Sequence, residues 1–219
     1  MGKYVFYKSF RFIMFPIFKF LFRPVIVNAS NIPGDGSAII AGNHKNALDP
    51  ILVDVCTKRV VCTLAKKSLH DGVFGFFFRA VGSIPVDTKA KSGSNKGAMD
   101  EAINKLSEGC LINLSPEGTR NRTSDLLLPF KYGAVSMAKK TGCVIVPYSI
   151  TGEYKLFSKN LKIVFGKPID ICGLEIDKAN EKLFNSIKKL MVDNMDKDEL
   201  KSKNIVKYRG VDNGKRKNN

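Results

Sequence analysis

From Pro24 onward, short β-like runs alternate with stretches of helical spacing, and a chain patterned this way folds as an α/β domain. "AIIAG" (Ala38–Gly42), "VVCTLAK" (Val60–Lys66), "SIPV" (Ser83–Val86), "CLINLS" (Cys110–Ser115), "CVIVPYSI" (Cys143–Ile150) and "LKIVFG" (Leu161–Gly166) read as strands. Between them Ile51–Cys56, Lys96–Leu106 and Tyr132–Lys140 carry helical spacing, with Gly109 and Gly142 where C-terminal caps belong. A last amphipathic helix is expected from about Lys178 to Asn194. The reading is a single α/β domain over residues 25–200, a central sheet flanked by helices.

The segment before it, residues 1–24, differs in composition: seven of the fifteen phenylalanines fall between Phe6 and Phe22. On a helix from Tyr4 to Arg23, the cations Lys8, Arg11, Lys19 and Arg23 fall within an arc of about 120° and apolar side chains cover the rest. Those charges interrupt every window long enough to span a bilayer, so a helix lying in the interface is expected, its basic stripe toward anionic headgroups. A helix packed on the protein's own core is the alternative. A signal peptide fits poorly, because Pro16 breaks the apolar run and no small-x-small site follows, and Phe6 stands where N-myristoylation needs Ser or Thr.

Thirty-six Lys and Arg against twenty Asp and Glu give a net charge of +16, which points to an anionic partner: nucleic acid, a membrane surface or a phosphorylated substrate. No nucleic acid is expected, since no RNA- or DNA-binding motif appears and phenylalanine is concentrated in one amphipathic block. The five cysteines form no C-x-x-C pair and read as reduced core residues of a cytosolic protein. Residues 201–219 carry seven basic residues and one acid and read as a disordered tail.

"GNHKNALDP" (Gly42–Pro50) holds one of the two histidines at the end of a predicted strand, where open α/β sheets place their sites. His44 can take a proton near neutral pH, and a carboxylate on its Nδ1–H would fix the tautomer and stabilise the imidazolium. Asp49 is the nearest acid. Five residues of continuous helix would set the two about 140° apart, so the chain must turn between them. Pro50 fits a first helical position, which makes Asp49 the expected N-cap and leaves His44 on the loop folded over it. Mere capping by Asp49 is the competing reading. No metal is expected, since His70 is the only other imidazole and neither has ligand-type spacing; no G-x-S-x-G elbow is present.

"LSPEGTRNR" (Leu114–Arg122) begins where another strand ends and turns at Pro116 and Gly118, presenting Glu117, Thr119, Arg120 and Arg122 to solvent or ligand. The planar fork of arginine suits a phosphate and Gly118 lets backbone approach it. Glu117 would repel a phosphate and suits a substrate hydroxyl or an arginine. Lys66 and Lys67, and Lys89, are further basic strand ends.

In order along the chain, "NIPGDGSAIIAGNHKNALDP", "AKKSLHDGVFGFFFRAVGSIPVD", "LSPEGTR", "PFKYGAVSMAKKTGCVIVPYSITG" and "IVFGKPI" resemble the 1-acyl-sn-glycerol-3-phosphate acyltransferase (PlsC-like) family. The resemblance implies transfer of a fatty acyl group from acyl-CoA or acyl carrier protein to the hydroxyl of a lysophospholipid, with no cofactor and no covalent acyl-enzyme. It implies His44 as general base, Asp49 as its orienter, Glu117, Gly118, Thr119 and Arg120 around the acceptor's glycerol phosphate, and Lys66 as a further phosphate contact. Val146 and Pro147 would shape a pocket. A place at the cytoplasmic face of the cell membrane, peripheral or monotopic, goes with it. The blocks reading the acceptor depart from the family: Ser68 follows Lys66 and Lys67 where an acid is usual, Gly72 replaces a proline, Thr88 and Lys89 replace an arginine, and Ser115 and Asn121 replace Phe and Ser. Glycerol 3-phosphate or another lysolipid is the alternative acceptor.

Overall fold

The computed structural model describes residues 5–73, 75–87 and 95–203; Thr88, Lys89 and most of the basic tail lie outside them. Seven strands form one mixed sheet: β1 (Val25–Val27), β2 (Ala38–Gly42), β3 (Val61–Lys66), β4 (Ile84–Val86), β5 (Leu111–Leu114), β6 (Val144–Thr151) and β7 (Lys162–Phe165). Their order is β1-β7-β6-β2-β5-β3-β4. Strands β2 to β6 run parallel, and β7 reverses against β6, pairing Tyr148 with Phe165, with β1 parallel to β7 at the edge. The α/β reading and all six predicted strands hold. β1 is a strand that the sequence pattern did not reveal.

β2 lies at the centre with all five residues buried, and its two-residue period splits its side chains between two cores. Ile39 and Ala41 face α5 (Lys96–Ser107), α6 (Gly133–Thr141) and α7 (Ile176–Asn194), which bring Leu106, Met137, Leu183 and Ile187. Ala38 and Ile40 face α1 (Val5–Phe22) and α2 (Asp49–Asp54), which bring Phe18, Leu52 and Val53. Each fully buried aliphatic side chain contributes about 1.5–3 kcal/mol. Gly142, at φ 67°, terminates α6 in the left-handed region, and Gly109, at φ 79°, follows the cap of α5. Among the described residues there are also three short α-helices, α3 (Lys67–His70) and α4 (Gly75–Ala80) beyond β3 and α8 (Lys197–Ser202) after α7, and a 3-10 turn at Ala29–Asn31.

α1 packs one face on the protein's own core and leaves the other exposed. Tyr7 and Phe18 are buried, and Phe10, Met14, Phe15 and Phe22 are half-buried along the same face at helical spacing. The opposite face exposes Phe12 (83%), Ile13 (60%) and Phe20 (63%) beside the exposed Lys8 and Lys19. The four expected cations do not share one outward stripe: Arg11 turns inward, where it donates to the carbonyl of Arg59 at 2.8 Å and lies over the Phe15 ring at 4.4 Å. Among the described residues no helix is long and apolar enough to cross a membrane.

Candidate active site

The parallel strands β2, β5 and β3 end at one edge of the sheet, and the two sequence signatures leave from that edge side by side. β2 keeps its course one residue past its end because Asn43, 3% exposed, imitates a ladder partner. Its amide donates to the carbonyl of Ile150 at 2.9 Å and its oxygen accepts the N–H of Ile150 at 2.7 Å. Gly42, just before it, lies against the buried Tyr148 ring; a Cβ there would fall 2.3 Å from the ring carbons.

The loop then turns around the carboxylate of Asp49. Oδ2 accepts from the backbone N–H of Lys45 at 2.8 Å and of Asn46 at 2.9 Å, and from Nδ1 of His44 at 2.7 Å. Oδ1 accepts from the hydroxyl of Tyr154 at 2.6 Å. The expected turn between His44 and Asp49 is present, but Asp49 is not the N-cap. Leu48 holds that position and Asp49 opens α2 ahead of Pro50, its side chain directed back to cap the loop instead of the helix. Asp49 is 2% exposed, a cost offset by these four donors. With Nδ1 donating to Asp49, the imidazole carries its lone pair on Nε2, and the side chain remains 26% exposed.

Glu117 corrects the sequence reading most clearly. The turn after β5 was expected to present it to solvent or ligand; it is 3% exposed instead, with Oε1 accepting the N–H of His44 at 3.0 Å and Oε2 the N–H of Leu128 at 2.9 Å. Burial raises its carboxyl above the usual value, while those hydrogen bonds and the neighbouring His44 and Lys203 pull it back. The carbonyl of His44 in turn accepts the N–H of Asn121 at 3.0 Å. Both backbone groups of His44 are thus tied to the second signature.

Gly118, at φ 67°, makes the turn, and the side chain of Lys131 covers the place a Cβ would take, with Cε 2.9 Å away. Thr119 and Arg120 are exposed beyond it. Lys66, exposed at the end of β3, stands on the same carboxyl edge with β5 between it and β2. His44, Asp49 and Glu117 therefore form one bonded cluster, with Gly118, Thr119 and Arg120 attached through the turn and Lys66 farther along the edge. Val146 is fully buried in the core under α1 and α2, not on an open pocket, and Pro147 is buried against Gly166.

Sequence reasoning missed Asn43, Tyr154 and the C-terminal helix. Asp196 caps α8, accepting from the N–H of Asp198 and of Glu199 at 3.1 and 2.7 Å. The Glu199 carboxylate receives the ammonium of Lys45, next to His44, and the N–H of Gly152 at 3.0 Å. Lys203 donates to the carbonyls of Thr123 at 2.8 Å and Asp125 at 3.2 Å. Lys201 and Ser202, expected in a disordered tail, thus belong to α8, with Lys203 at its C-cap, and the helix is laid on the site's edge. An acid three residues after a capping aspartate was the signal for it. No cluster of metal-ligating side chains exists among the described residues.

The sequence model of the Acyltransferase family matches residues 23–151 of this chain. A 1-acyl-sn-glycerol-3-phosphate acyltransferase of Borreliella burgdorferi is 33% identical over 147 residues, which is 67% of this chain and 58% of that protein. A protein of the same name from Bacillus subtilis is 28% identical over 150 residues, 66% of this chain and 72% of that one. The crystal structure of the 1-acyl-sn-glycerophosphate (LPA) acyltransferase PlsC from Thermotoga maritima has the same fold, with a TM-score of 0.64 at 22% identity, covering 84% of this chain and 77% of that one.

Proposed function

Because this chain belongs to the Acyltransferase family, we propose that it transfers a fatty acyl group from an acyl thioester to the free hydroxyl of 1-acyl-sn-glycerol 3-phosphate, forming phosphatidic acid. The relatives bearing that activity in their names support the acceptor, and the aligned stretch spans 58% of the Borreliella protein. The observation that carries the reading is the Nδ1–Oδ2 contact of 2.7 Å between His44 and Asp49, which leaves Nε2 as the proton acceptor on a partly exposed ring.

In this reading Nε2 of His44 takes the proton of the acceptor hydroxyl as its oxygen attacks the thioester carbonyl. The carbon–sulfur bond breaks, the proton passes from the imidazolium to the departing thiolate, and no acyl-enzyme forms. Asp49 stabilises the imidazolium in between. Arg120 and Thr119, beyond the Gly118 turn, hold the glycerol phosphate, and Lys66 offers charge from the same edge. Glu117 acts from beneath, by fixing the backbone of His44. No cofactor or metal takes part, and acyl-CoA and acyl carrier protein are both candidate donors. The outer face of α1, with Phe12, Ile13 and Phe20 beside Lys8 and Lys19, rests on an anionic bilayer at its cytoplasmic side, from which the lysolipid is taken.

Mass spectrometry of lipids formed by the purified protein from a mixed lysolipid pool, with each thioester in turn, tests the proposal. Phosphatidic acid as the main product supports it. Acylation of glycerol 3-phosphate or of another lysolipid in preference replaces the acceptor, and no acyl transfer from either donor overturns the reading.

A further inference from the structure

Tyr154 lies three residues past the end of β6 and 105 residues from Asp49, yet its hydroxyl donates at 2.6 Å to Oδ1, the carboxylate oxygen that His44 does not use. Its ring meets Phe22, the last residue of α1, edge-on with centroids 5.7 Å apart. The chain Phe22–Tyr154–Asp49–His44 thus leads from the N-terminal helix to the imidazole through one ring contact and two short hydrogen bonds.

The geometry points to Tyr154 as a positioning residue, which orients the Asp49 carboxylate and through it sets how tightly His44 holds a proton, with Phe22 of α1 seating the tyrosine ring. Its catalytic meaning rests on the reading of His44 as general base. Asp49 Oδ2 is already shared among three donors, whereas Tyr154 is the donor to Oδ1 among the described residues. A donor on Oδ1 draws charge away from Oδ2. Without it the carboxylate interacts more strongly with the imidazolium, and His44 gives up its proton less readily.

The titratable neighbours do not blur this chain. Asp49, Tyr148 and Cys56 face Tyr154, and burial and the Asp49 charge raise its phenol far above the ordinary range, so it stays a donor at every working pH. Burial also pushes the Cys56 thiol up to about 12, which keeps it neutral. The Glu117 carboxylate is bonded to the N–H of His44, and Lys45 beside it is paired with Glu199 on α8, with Lys203 near both Lys45 and Glu117.

The test compares the full-length parent protein with Tyr154→Phe, which keeps the ring and removes the donor, and with Phe22→Ala, which keeps the donor and removes its seat. The chain has two histidines, so nuclear magnetic resonance titration resolves His44 from His70, whose ring is buried on α3. In Tyr154→Phe the His44 midpoint is expected to rise by about 0.4–1 pH unit, the equivalent of one net hydrogen bond. The acid limb of kcat/KM moves with it, the acceptor KM changes little, and His70 is unmoved. Phe22→Ala moves the midpoint the same way by less. Coincident His44 midpoints in parent and both variants overturn the positioning role. If Tyr154→Phe shifts the midpoint while His44→Ala still turns over normally, the positioning role stands and the general-base reading falls.

Discussion

Glu117 accepts the backbone N–H of His44 at 3.0 Å, across 73 residues of sequence, so the turn after β5 physically holds the loop after β2. Glu117→Ala orphans this N–H and that of Leu128, each buried group costing about 1–3 kcal/mol. The expected result is a lower melting temperature together with a lower kcat. A variant that melts lower but keeps parental kcat would separate the buckle from the chemistry.

His44→Ala removes the proposed proton acceptor while leaving the loop's backbone bonds to Glu117 and Asn121 in place. Acyl transfer is expected to fall by about 10²–10⁴-fold, with unchanged circular dichroism and vesicle binding. Turnover within a few-fold of the parent contradicts the base assignment.

Arg120, exposed beyond the Gly118 turn, is proposed to bind the acceptor phosphate. Steady-state kinetics of Arg120→Ala are expected to show a larger rise in KM for the acceptor than for the thioester. An equal rise for both substrates removes Arg120 from the acceptor site.

Gly42→Ala would drive a methyl to within 2.3 Å of the Tyr148 ring, which is 2% exposed and has little room to yield. Overpacking of this kind costs about 1–3 kcal/mol. Denaturant unfolding reads the loss directly. Because the glycine stands two residues before His44, activity is expected to drop in the folded fraction as well.

Asp54, at the end of α2, is pushed up to about 8 by burial, against the pull of the Arg11 guanidinium and the Tyr7 hydroxyl. A carboxyl raised this way binds more protons in the folded than in the unfolded chain, so its penalty is absent below pH 3.8 and grows until about pH 8. Asp54→Asn removes the penalty. Its stability advantage over the parent is expected to increase from pH 4 to pH 8 and then level. Parallel melting curves against pH for the two proteins rule this out.

The parts of the fold visible in the sequence are those whose physics is local. β2 announces itself by "AIIAG", buried on both faces, and Gly142 by the left-handed residue that ends α6. The His44–Asp49 pair was legible because a continuous helix would set the two about 140° apart, so a pairing required a turn between them, whereas the N-cap expected from Pro50 falls on Leu48. β1 escaped because three residues at a sheet edge carry no period, and α3 because four residues make a single turn. Glu117 was misjudged for a different reason: a charged letter in a Pro-Gly turn reads as exposed, and only the folded chain supplies the N–H groups of His44 and Leu128 that let it be buried. Tyr154 and Glu199 reach the site from 105 and 154 residues away, distances over which periodicity says nothing.

α1 begins near the sheet edge opposite the site, where the Tyr7 hydroxyl accepts the N–H of Val61, and it ends at Phe22 against Tyr154. Trimming the first two dozen residues, an ordinary step toward a better-behaved preparation, would therefore do more than shed a greasy leader. It would peel Phe18 and Tyr7 from the floor of the molecule and unseat the tyrosine behind the aspartate. A shortened protein that proves inert in detergent would be a casualty of lost scaffolding, and should not be read as proof that the reaction requires a bilayer.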